Sequence, residues 1–129
     1  MVARFFVYGV SGWCMEIIWT GLVSFYKKDY SLESKTSIYM FFIYGLAVFF
    51  EPIYKVFSHF PAALRGGLYC FIIFGIEFLV GSAMKTIKIC PWDYSGAKYN
   101  IKGVIRLDYA PLWLFAGLYF EFVYLFLSK

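Results

Sequence analysis

Four long apolar runs leave this chain little choice of environment. They cover about Phe5–Tyr26, Ser37–Phe57, Gly66–Met84 and Tyr109–Leu127. Each is about 19–22 residues long, the length an α-helix needs to cross ~30 Å of hydrocarbon. The runs are too long and continuous for barrel strands. Lipid cannot satisfy an open backbone, so helices are the expected form. Composition agrees, with 62% hydrophobic and 16% charged residues, against about 45–50% and about 25% in soluble domains. A chain of 129 residues has too little interior to hide that much apolar surface from water. The expected fold is therefore all-α: a single integral membrane domain, residues 1–129, forming a bundle of four transmembrane helices. An ordered loop would lie between helices three and four. Such a chain is a multi-pass protein of the cell membrane, and its 12 Tyr and 4 Trp suit rings lodged at the membrane–water interfaces.

The net charge of +4 does not point to nucleic acid, because the basic residues are scattered over the loops without a cluster. Lipid phosphates are their expected partners. Counting Lys and Arg alone places loops one and three in the cytoplasm. Cys14, Cys70 and Cys90 form no CxxC and no zinc spacing, and they read as small packed hydrophobes. Neither a metal site nor a cofactor is expected.

The feature that calls for chemistry is one glutamate per span: Glu16, Glu51, Glu77 and Glu121. At 1.5 Å rise per residue, each falls within about 6 Å of the middle of its span. Residues three or four apart share a helix face. Glu16 lies with Gly9, Gly12 and Thr20, and Glu77 with Cys70, Phe74 and Gly81. Glu121 lies with Ala110, Trp113, Gly117 and Tyr124, and Glu51 with Tyr44, Ala47 and Tyr54. Small residues mark where membrane helices touch, so the four carboxyls are expected to point inward. Glu16 and Glu77 would form one tier, Glu51 and Glu121 the other.

An acid at the bilayer centre costs at least ~2.5–3.5 kcal/mol. Four of them approach ~10 kcal/mol, comparable to the stability of a whole domain. Every Lys and Arg lies in a loop or at a span end, and His59 is in loop two. The expectation is thus that the chain brings no counter-ion, so that the carboxyls are protonated, hydrated, or neutralised by an external cation.

Pro52 follows Glu51 and should free the Val48 carbonyl, which reads first as a kink and second as a cation ligand. An echo of "FFVYG" at Phe5–Gly9 by "FFIYG" at Phe41–Gly45 is of a kind that aromatic-rich membrane sequence produces by chance. In loop three, "CPWDYS" offers Trp92 as an anchor and Asp93 and Ser95 as turn caps. The segment could fold back as a lid. As a catalytic set Asp93, Tyr94 and Ser95 lack a nearby base, and an enzyme is not expected.

These pieces resemble a known family, the transmembrane protein 229 family, known in bacteria as "putative ABC-transporter type IV". The similarity runs over about Phe5 to Leu127. It is carried by Cys90, Pro91, Trp92, Asp93, Tyr94, Ser95, Gly103 and Trp113, with Asn100 and Ile101 fitting the bacterial form. "GWCMEIIW", "IYG…FFE", "FGIEF" and "YFEF" align too, so all four glutamates fall on family positions. The resemblance implies four membrane helices without a settled activity. No Walker-A motif is present, so an ATPase, where one is needed, belongs to another chain.

The leading functional expectation is a small permease-like protein. Its glutamates Glu16, Glu51, Glu77 and Glu121 would bind protons or a small cationic solute. Trp92, Asp93, Tyr94, Ser95 and Asn100 would form a loop site. Four helices enclose little volume, which favours a homodimer or a partner subunit. The alternative is a non-transporting interaction or lipid-binding subunit whose protonated glutamates are structural.

Overall fold

A computed structural model describes the whole chain, Met1–Lys129. It is all-α apart from a two-stranded ribbon, and four helical stretches are long and apolar enough to cross a membrane. In chain order these are α1 (Val2–Tyr26); α2 (Ile38–Gly45), which runs through a 3-10 stretch (Leu46–Phe50) into α3 (Glu51–Phe57); α4 (Ala62–Thr86); and α5 (Ala110–Leu127), entered through a 3-10 turn at Leu107–Tyr109. Between α4 and α5 lie β1 (Asn100–Ile101) and β2 (Ile105–Arg106), paired antiparallel. Large apolar side chains along the spans face outward: Ile18 is 63% exposed, Phe71 77% and Phe122 64%. That pattern suits hydrocarbon and would be ruinous in water.

The chain divides into two compact units, Met1–Pro52 and Ile53–Lys129. In the first, α1 packs along α2 through small residues. Gly12 lies directly under Tyr44, and a Cβ there would overlap the tyrosine. Gly9 and Gly45 make matching close approaches to Phe41 and Phe5. Such contacts replace the hydrophobic drive that lipid removes. Loop one is tied down at both ends. Lys28 leaves α1 at φ 65°, and Asp29 accepts from the Ser31 hydroxyl at 2.6 Å. Ser37 caps α2, accepting from the Tyr39 N–H at 3.3 Å, while its carbonyl accepts from Trp13 Nε1 at 2.9 Å. The Val48 carbonyl expected to be freed by Pro52 is not free. The helix tightens to 3-10 geometry just before the proline, and the Glu51 N–H donates to Val48, so the proline leaves this carbonyl with a backbone donor.

The second unit pairs α4 with α5. Pro61 precedes α4, and Pro111 lies in the first turn of α5, where a missing N–H does no harm. Gly66 sits under Leu114 and Gly117 under Tyr69, again too close for a Cβ. Tyr69 also packs edge-on against Tyr54 at 5.2 Å between centroids, and Tyr54 against Tyr124 at 5.5 Å.

The α4–α5 connection is folded. Lys102 (φ 52°) and Gly103 (φ 70°) form the turn of the ribbon, closed by the Val104 N–H to the Ile101 carbonyl at 3.1 Å. Positive φ at both central residues is the signature of a type I′ hairpin turn. Val104 and Ile105 are buried and give this cap a small core.

Candidate functional site

All four glutamates sit between helices. Glu121 is buried and the other three are half-buried. Each meets the partner helix of its own unit, and their surroundings differ in kind.

Glu51 and Glu121 are ion-paired. Arg4 Nη1 donates to Glu51 Oε1 at 2.8 Å, and the Tyr8 hydroxyl donates to the same oxygen at 2.8 Å. In the second unit Arg65 grips Glu121 with two nitrogens, Nε to Oε2 at 3.0 Å and Nη2 to Oε1 at 2.9 Å. The Tyr69 hydroxyl completes that set by donating to Oε2. A forked arginine–carboxylate pair is among the stronger hydrogen-bonded contacts available. The expectation that the chain brings no counter-ion is therefore corrected for these two acids. Arg4 and Arg65 are not loop residues. The helices begin at Val2 and Ala62, ahead of the apolar runs at Phe5 and Gly66, so both arginines lie in helical turns. In an antiparallel pair, an arginine near the start of one helix lies level with a glutamate near the end of its neighbour.

Glu16 and Glu77 have no ion pair. Glu16 Oε2 accepts from the Tyr44 hydroxyl at 3.0 Å. Glu77 faces Trp113 of α5 and Tyr94 of the cap. Its Oε2 and Trp113 Nε1 are both buried; the indole N–H is directed at the carboxyl, but the two do not close a well-formed hydrogen bond. A buried donor and a buried acceptor that face each other without a well-formed bond are rare in folded chains.

The arrangement repeats. Arg4, Tyr8 and Glu16 on α1 have the spacing R-x3-Y-x7-E, and Arg65, Tyr69 and Glu77 on α4 have the same. The second helix of each pair carries a small residue, a glutamate and a tyrosine at matching spacing: Ala47, Glu51 and Tyr54, then Gly117, Glu121 and Tyr124. In each unit the first helix lends a tyrosine to the glutamate of the second. The second helix lends an aromatic donor in return, Tyr44 to Glu16 and Trp113 toward Glu77. This recurrence relates α1 to α4, whereas the FFVYG echo relates α1 to α2. Arg4, Tyr8, Arg65 and Tyr69 are site residues that face-by-face reading misses, whereas Trp113 is read on the face of Glu121 and serves Glu77 instead. The repeated R-x3-Y-x7-E spacing is the signal that finds them.

The loop residues build the cap. Trp92 lies against Gly81, and its Nε1 donates to the Val104 carbonyl at 3.0 Å. Asp93 accepts from the Ser95 N–H at 3.0 Å and from Lys85 Nζ at 3.1 Å. The Ser95 bonds, with Lys85 behind them, hold its carboxyl down at about 2. Asn100 donates to the Ala97 carbonyl at 2.6 Å and accepts from the Gly103 N–H at 3.0 Å. Tyr94 donates its N–H to the Gly103 carbonyl at 2.8 Å and turns its ring edge-on to Tyr109 at 5.7 Å. Four of the five loop residues thus hold the cap together, and Tyr94 is the one that faces a glutamate. Because Trp92, Lys85 and Lys102 engage Gly81, Gly103 and Phe78 in turn, the cap folds back along the last turns of α4.

No solved structure matches the chain. Its sequence matches a family over residues 3–129, nearly its whole length. With four apolar helices, the chain is a small membrane protein and belongs to the family described as "putative ABC-transporter type IV".

Proposed function

We propose that this protein is a permease-like component of the cell membrane in which Glu77, and its counterpart Glu16, take up and release protons. Glu51 and Glu121 serve instead as structural clasps. The observation that carries the reading is a buried carboxyl, Glu77, met by the neutral donors Trp113 and Tyr94 and by no cation, with Oε2 and Trp113 Nε1 short of a well-formed bond. A carboxyl without a cation beside it is cheaper to bury neutral than ionised. The indole N–H is a donor only, so it disfavours a bare metal ion or an alkylammonium, which could accept nothing from it. A water, or a solute hydroxyl, satisfies both atoms at once, accepting from Trp113 and donating to Glu77. That chemistry favours protons over a cationic solute. The clasps support the structural alternative for the other two acids, since a carboxylate already held by arginine and tyrosine has little capacity left for a ligand.

No catalytic turnover is proposed. A path across the bilayer needs more wall than four helices supply, so a second copy or a partner subunit would complete it. The test is proton uptake into proteoliposomes under an imposed pH gradient. E77Q should lower the uptake about a hundredfold or more, the usual weight of a positioned proton-transfer group. E121Q should leave it within about twofold once folded protein is counted. Equal uptake by wild type and E77Q would overturn the proposal.

A further inference from the structure

The cap carries charge that its own fold does not use. Its two carboxylates are both occupied, Asp93 by Lys85 and Asp108 by Arg106 at 2.9 Å. Lys88, Lys98 and Lys102 are exposed and pair with no carboxylate. Lys98 and Lys102 instead lie over the rings of Tyr99 and Phe78, at 5.4 and 5.7 Å from the centroids. Lys88 and Lys102 hold left-handed backbone, φ 62° and 52°, where glycine would sit without strain.

Placement gives the charge a meaning. α4 is 25 residues long, about 37 Å at helical rise, which exceeds the ~30 Å of hydrocarbon. Its apolar run ends at Met84, so the chain leaves the hydrocarbon at Lys85 and Lys88, where the exposed edge of the cap begins. Exposed Ile87, Ile101 and Leu107 are interleaved with the lysines. Cations alternating with apolar side chains are the composition of a surface that lies in a membrane interface. A site for a free anion would instead gather its donors around a cradle.

We infer that the α4–α5 cap is a docking surface for anionic phospholipid headgroups, with Lys88, Lys98 and Lys102 as its phosphate-facing cations. Each lysine near an anionic surface should raise the preference for charged lipid about fivefold. This surface does not depend on the proton-binding reading of Glu77.

The test is native mass spectrometry of the full chain released from nanodiscs of mixed phosphatidylglycerol and phosphatidylcholine. Wild type should retain phosphatidylglycerol at least about tenfold over phosphatidylcholine, and the excess should shrink as salt screens the surface. K88Q/K98Q/K102Q should retain the two lipids equally, while K88R/K98R/K102R, which keeps the charge and guards against a folding artefact, should behave as wild type. Added inorganic phosphate should not displace the lipid. Equal retention by wild type, a preference surviving in the glutamine variant or lost in the arginine variant, or displacement by free phosphate would each overturn the inference.

Discussion

At the scale of single residues, two acids in the second unit take opposite roles because their donors differ. Asp93 has the Ser95 N–H, the Ser95 hydroxyl and the Lys85 ammonium around it, so its carboxylate form is held and its proton is lost early. Glu77 has only Trp113 and Tyr94 facing it and leaves one oxygen unsatisfied. The sign of the Asp93 effect follows from linkage. A carboxyl held at about 2 in the fold, against about 3.9 in an unfolded chain, contributes stability that is fully present above about pH 4. That contribution drains away as the pH falls toward 2. The cap should therefore loosen in that window, seen as faster amide exchange at Tyr94 and Ser95. D93N should show the fast exchange already at pH 6, with no further change on acidification. Charge counting alone could not separate the two acids. Both are aspartate or glutamate near aromatic residues in the sequence, and only the folded-back cap decides which donors reach which carboxyl.

At the scale of elements, the helices themselves were legible. Four apolar runs became four spans because lipid admits little else. What was not legible was where each helix starts. Hydropathy marks the hydrocarbon, whereas hydrogen bonding carries a helix past it, and Arg4 and Arg65 lie in that excess. Placing them outside the apolar spans, in a loop or at a span end, hid both clasps. The helix faces were nearly right, since Gly12 and Gly117 do mark contacts. Tyr44, however, serves Glu16 across the pair rather than Glu51 on its own helix. Two outcomes follow for the clasps. Gly117→Val forces a side chain into Tyr69 and should cost ~1–3 kcal/mol, the usual range for overpacking, measured by denaturant unfolding in detergent. R65Q strands the Glu121 carboxylate and should lower the thermal midpoint, whereas R65M/E121L, which removes both charges, should recover most of the loss. A midpoint for the double variant no better than for R65Q would show that the clasp does more than offset its own burial.

At the scale of the whole molecule, the recurrence of R-x3-Y-x7-E gives each unit one clasped and one unclasped glutamate. If the unclasped acids are the proton sites, the chain holds two of them. E16Q and E77Q should each remove about half of the protons taken up by purified protein on acidification. E16Q/E77Q should remove nearly all, and E51Q/E121Q little beyond what lost folding explains. Calorimetric proton counting in buffers of different ionisation heat separates these cases. Membrane character and family membership were both readable from the sequence, because apolar length and the CPWDYS region survive in one dimension. The pairing of arginine with glutamate was not, because it joins positions 47 and 56 residues apart.

The most direct measurement is infrared difference spectroscopy of the purified protein between acid and alkaline pH, comparing wild type with E77Q and W113F. The expected result is a protonated-carboxyl C=O band that titrates in wild type, disappears in E77Q, and shifts in frequency in W113F, where the indole donor is gone. A titrating band that persists unchanged in E77Q, or a spectrum with no protonated carboxyl at all, would contradict the assignment of Glu77 as the proton-carrying acid.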